Sequence, residues 1–152
     1  MNLCGRFRFS LETVLRVREL REEQARLELA RALVHLEQSR RALRDTERLF
    51  AGKLDALRGA MAGEVNAQDF HMHAGYLEHL KGAMQGWRTR ISREEAEIER
   101  QKVKVRRLYQ ERRLLSNLKE KHYLHFKREQ AKGLEKESEA AVLYRWPGKA
   151  IF

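Results

Sequence analysis

Between Leu77 and Leu143 a ladder of positions advances by alternating steps of three and four. Its apolar rungs are Leu77, Leu80, Met84, Trp87, Ile91, Ile98, Val105, Leu108, Leu115, Phe126, Ala140 and Leu143. Glu94, Gln101, Arg112, Lys119, His122, Glu129, Gly133 and Lys136 fill the rungs between. This alternation predicts helices that supercoil, not a helix lying on a globular core. At about 1.5 Å per residue the ladder would extend for roughly 100 Å, and a seam so narrow can be buried only by another long helix. The same alternation appears upstream at Leu11, Leu15, Arg18, Glu22, Ala25, Leu29, Ala32, Leu36, Ser39, Leu43, Thr46 and Phe50. Leu54, Leu57 and Met61 continue it after two successive steps of four, a stutter that locally unwinds the supercoil.

Six of the nine glycines (Gly52, Gly59, Gly63, Gly75, Gly82 and Gly86) lie between the two ladders or at their inner ends. Asn66 and Asp69 are N-cap candidates, because their side-chain oxygens can accept from the free N–H groups that open a helix. The chain therefore turns back here. The expected fold is all-α, a long two-helix antiparallel coiled-coil hairpin forming one unit over residues 1–152. Helix 1 is expected over about 8–61, the turn over about 62–70, helix 2 over about 71–143 and a short tail over 144–152. Pairing about that turn places Phe50 near Trp87 in a buried closed end, Leu36 near Gln101, Leu29 near Leu108, and Leu15 near His122 or Phe126. At the open end Arg18 and Glu22 can meet Arg112 and Lys119, fixing register more than adding stability. Residues after about 130 are left without a partner helix.

The chain has 152 residues, of which 36% are charged and 42% apolar, with a single proline. With the apolar residues gathered into two seams, the sequence predicts an elongated unit without a compact core or a pocket for chemistry. Cys4 is the only cysteine, which excludes an internal disulfide and suits a reducing compartment. No apolar run approaches the roughly 18 residues that span a bilayer, and Met1 to Ser10 lacks the apolar stretch of a signal peptide. A cytoplasmic protein is expected.

The net charge of +10 is concentrated in one place: Lys102, Lys104, Arg106, Arg107, Arg112 and Arg113 surround a single acid, Glu111. Such a run can be a nucleic-acid footprint, a docking patch for an acidic protein or a solvated coiled-coil flank. Val103, Val105 and Leu108 interrupt it at helical spacing, and no helix-turn-helix, zinc-ligand or RNA-binding signature accompanies it, so nucleic acid is not the expected partner. His71 and His73 lack the neighbouring Cys or acidic cluster of a zinc motif, and His122 and His125 read as ordinary rod residues. With no phosphate-binding glycine loop and no triad-like grouping, the sequence predicts no enzyme, no catalytic residue, no metal and no cofactor.

A second stripe is harder to assign to the hairpin. Val17, Leu20, Leu27 and Val34 recur along helix 1, and Leu27 points about 160° away from the seam residue Leu29. The hairpin would leave these aliphatics exposed, so they and the six basic residues form the candidate partner-binding surface.

The opening Phe7-Arg-Phe-Ser-Leu11-Glu-Thr-Val14-Leu15-Arg-Val-Arg18, followed by Glu22-Glu-Gln-Ala25 and Leu29-Ala-Arg-Ala32, resembles the amino-terminal signature of the flagellar export protein FliJ family. Asn66-Ala-Gln-Asp-Phe70 and Tyr76-Leu77-Glu-His-Leu80-Lys are similar to the same family's approach to its second helix. The resemblance covers most of residues 6–135; the tail from Leu143 to Phe152 does not share it. It implies an antiparallel coiled coil similar to the gamma stalk of rotary ATPases. It also implies a stalk that enters the hexameric flagellar export ATPase, promotes its ring assembly and contacts the membrane export gate, with a further role in handling export chaperones. Such a protein would be cytoplasmic, peripheral at the inner membrane, and a monomer when isolated, leaving ATP hydrolysis to its partner. The equivalent stalk of an injectisome-type secretion system is the nearest alternative. A nucleic-acid-binding or cytoskeletal coiled coil is the alternative of another class.

Overall fold

A computed structural model describes residues 5–145; Cys4 and residues 146–152 of the expected tail lie outside the described residues. It is all-α, an antiparallel two-helix coiled-coil hairpin of α1 (Glu12–Met61) and α2 (Ala67–Arg145), 50 and 79 residues long. Contacts divide it into two compact units. The turn unit comprises residues 23–106, and the terminal unit comprises 5–22 with 107–145.

In the turn unit the seam is the one that the periodicity marks. Ala25, Leu36, Ser39 and Leu57 of α1 are buried with Leu77, Leu80, Met84 and Ile98 of α2. Phe50 and Trp87 are half-buried, which corrects the expected closed-end core. The guanidinium of Arg90 lies 5.4 Å from the Trp87 ring centroid, so this indole faces a cation on one side. The α1 ladder stops at Leu57: Met61, the last residue of the helix, is exposed.

The turn is shorter than expected. The amides of Ala62 and Gly63 close α1 onto the carbonyls of Gly59 and Ala60, at 3.3 and 3.1 Å. Asn66 then caps α2: its Oδ1 accepts from the Gln68 amide at 3.1 Å and its carbonyl accepts from that of Phe70 at 3.1 Å. Because Asn66 rather than Asp69 is the cap, α2 begins at Ala67 instead of about residue 71. Facing residues shift accordingly, and Glu28 meets Lys104, one turn before the expected neighbourhood of Leu108. Nearer the turn, Arg40 with Glu95 at 2.7 Å and Arg88 with Glu47 at 3.3 Å stay close to the expected facing. Gly63 alone of the glycine cluster lies in the turn. Gly52, Gly59, Gly75, Gly82 and Gly86 are helical, with open space where a β-carbon would stand.

In the terminal unit Leu15, Glu22 and Leu108 are buried at seam positions. The ladder beyond Lys119 is covered differently. Phe9, itself buried, sets its ring edge-on to His122 at 5.7 Å, and Phe7 lies 5.3 Å from Tyr123 and 5.6 Å from Phe126. Two rings two residues apart reach one surface on an extended chain but diverge on a helix. Residues 5–9 are accordingly not helical, and α1 starts at Glu12, not near residue 8. Phe7 meets Phe126 and Phe9 meets His122, so the extended segment covers this stretch of the α2 ladder. From Leu134 to Arg145 every residue of α2 is exposed, as expected of a helix that has outrun its partner.

Two substitutions test this packing by thermal or urea unfolding. Ile98→Ala should cost about 2–4 kcal/mol, because it opens a cavity in the seam. Gly82→Ala should instead raise stability by about 0.5–1 kcal/mol, since the added methyl meets nothing and lowers the entropy of the unfolded chain.

Candidate functional site

The second stripe of α1 is exposed in both units. Val17 and Leu20 in the terminal unit retain 42% and 60% of their accessible surface, and Leu27 and Val34 in the turn unit retain 54% and 57%. The seam takes the other face of the helix, so burial between α1 and α2 leaves these aliphatics unused.

The six basic residues are less free than their sequence suggests. In the turn unit, Lys102 bonds Glu99 at 2.8 Å and Lys104 bonds Glu28 at 3.2 Å. Arg106 alone of those three has no carboxylate partner among the described residues. In the terminal unit Arg107 is 3.8 Å from Glu111, and Arg18 also binds that carboxylate. Arg112 donates to the buried Glu22 at 2.5 Å, and this bond holds its guanidinium above the ordinary value. Arg113 donates to the Tyr109 hydroxyl at 2.7 Å, and both Arg112 and Arg113 lie over that ring, at 5.1 and 5.9 Å. Thus Arg112 serves first as a seam residue. Lys119, expected in the same polar cluster, pairs with Glu12 at 2.8 Å.

The run of cations is mostly matched by acids from the facing helix or from one turn away. Net positive potential for a partner comes from Arg106, Arg113 and the weakly held Arg107, not from all six. A matched flank is a poor nucleic-acid footprint, because phosphate binding draws on cations free to release counterions.

His71 lines a shallow apolar groove at the turn with Met61, Val65 and Phe70, and His73 is exposed. Among the described residues no three His, Cys, Asp or Glu side chains gather where they could hold a metal ion. Among the described residues no helix is long and apolar enough to cross a membrane. The alternation Arg6-Phe7-Arg8-Phe9, itself a signal of extended chain, brings Arg6 and Arg8 beside Lys121, His122 and His125 of α2.

The Glu22–Arg112 pair generates a direct prediction. Glu22→Ala should destabilise the terminal unit by about 1–3 kcal/mol, below the cost of breaking a fully buried pair, because Arg112 can still reach water. Glu22→Gln, which keeps an acceptor, should cost less, and the comparison can be read from the two thermal midpoints.

The model of the family described as "Flagellar FliJ protein" matches residues 7–138. No curated protein and no solved structure gave a match. The match spans most of both helices, including the amino-terminal Phe-x-Phe segment, the seam and the turn. The chain is therefore a member of the flagellar FliJ protein family, a component of flagellar protein export.

Proposed function

We propose that this chain is the coiled-coil stalk of the flagellar export ATPase complex. It binds the hexameric ATPase, promotes assembly of the ring and couples it to the membrane export gate. It works as a monomer at the cytoplasmic face of the inner membrane, and export chaperones are further partners. It carries no catalytic residue, and nucleotide hydrolysis belongs to the ATPase. Family membership supports the export role. The observation that carries the binding role is the aliphatic stripe lying outside the seam.

In the terminal unit the docking surface consists of Val17 and Leu20 with Arg107, Arg112 and Arg113. In the turn unit it consists of Leu27 and Val34 with Lys102, Lys104 and Arg106. The aliphatics would slow dissociation by the burial of apolar surface. The cations that remain unmatched would speed association and make it sensitive to salt.

Replacing Leu20 and Leu27 together by Ser tests this reading. The double variant should keep its helical signal and melt within a few degrees of the parent, because both side chains are more than half exposed. It should bind the ATPase less tightly, and cells that carry it should swim poorly. A variant that folds, binds and supports motility normally would remove the stripe from the function.

A further inference from the structure

The extended segment at the amino terminus of the terminal unit builds a groove of about 660 Å³ against α2. Arg6, Phe7 and Arg8 form one wall, and Lys121, His122, His125 and Phe126 form the other. Among the described residues no carboxylate lines it. Among the described residues Arg6, Arg8 and Lys121 have no hydrogen-bond or ion-pair partner. His125 lies within electrostatic reach of Glu129, which Lys132 already binds at 3.0 Å. Along the seam of this unit, by contrast, Arg18 is matched by Glu111, Arg112 by Glu22 and Lys119 by Glu12. Gathering unmatched cations in one groove opposes folding by self-repulsion, and an anionic ligand relieves it.

The geometry points to a docking site for an acidic segment of a partner protein, one carrying glutamates or aspartates with an occasional apolar residue. Three features select this occupant. The cations stand on both walls, so a line of carboxylates can be gripped along its length, with the two arginines able to take carboxylates bidentately. Phe7 and Phe126 offer apolar contact to a side chain between the acids. Both rings are half-buried by their packing on one another, so they do not project as the anchors of a membrane-surface helix do. The groove is separate from the Leu20 stripe and does not depend on the partner proposed for it.

Fluorescence anisotropy of a fluorescein-labelled peptide of repeated Glu-Asp-Leu, titrated with the full chain at low salt, tests the site. The parent should bind, and an Arg6→Glu/Arg8→Glu double variant should bind about tenfold more weakly or worse. Lys121→Glu, which reaches the groove from α2, should also weaken binding. Arg41→Glu/Arg93→Glu, an equal change of charge in the turn unit at two exposed residues outside both proposed surfaces, should leave affinity within about twofold. Among the described residues the side chains of Arg6, Arg8 and Lys121 have no bonding partner, so helical signal and melting should be retained.

Failure of the parent to bind the peptide, or equal losses in the groove and control variants, would overturn the proposal. So would binding to phosphatidylglycerol vesicles, in place of the peptide, that the groove substitutions abolish; that result assigns the surface to lipid. A concentration-dependent dimer dissolved by the same substitutions would also overturn it, assigning the groove to the Glu135, Glu137 and Glu139 stretch of a second copy.

Discussion

Burial of one narrow apolar stripe on each helix is the constraint on which the rest of the structure depends. The helices of 50 and 79 residues are rich in good helix formers such as Arg, Glu and Leu, but in a folded protein most helix stability comes from packing of an apolar face. Each fully buried aliphatic in the seam contributes about 1.5–3 kcal/mol relative to exposure. Leu36, Leu57, Leu77, Leu80 and Ile98 do this in the turn unit, and Leu15 and Leu108 in the terminal unit. The seam uses about two positions in seven, which leaves most of each helix surface available for recognition. Member of an export family and built on such a seam, the chain offers its partners surface chemistry.

Ion pairs then set the details that burial leaves open. Glu28 with Lys104, Arg40 with Glu95 and Glu47 with Arg88 fix which turns face one another in the turn unit, and Glu12 with Lys119 and Glu22 with Arg112 do so in the terminal unit. Two of these pairs also engage Lys104 and Arg112 of the basic run. Arg6, Arg8 and Lys121, three cations without a partner among the described residues, gather in the groove beside Phe7. Five helical glycines with open space around them loosen the helices on either side of the turn, because each gives up roughly 0.5–1 kcal/mol of helix preference. The closed end is consequently softer than its apolar seam alone implies.

The seam was legible in the sequence because its period is a property of each helix separately. Leu15, Leu36, Leu77 and Ile98 could be placed without knowing what covered them. Register was less legible, since it depends on the number of turn residues, and either Asn66 or Asp69 could have capped α2. Phe9 falls inside the expected first helix, from about residue 8, whereas its spacing of two from Phe7 is the mark of extended chain and α1 starts only at Glu12. The free character of the basic run was overestimated: Glu28 and Glu22 lie some 76 and 90 residues from Lys104 and Arg112, and only the fold brings them together. His122 and His125 looked like ordinary helix residues for the same reason, because the arginines beside them come from the other end of the chain.

Amide hydrogen exchange along the free chain tests most directly the claim that seam burial is what holds the helices. Amides of residues 91–108, backed by Ile98 and Leu108, should be the most protected. Those of residues 134–145, where every side chain is exposed, should exchange at nearly the rate of an isolated helix end. Protection of residues 134–145 equal to that of 91–108 would contradict the account, because helix stability would then not follow the seam.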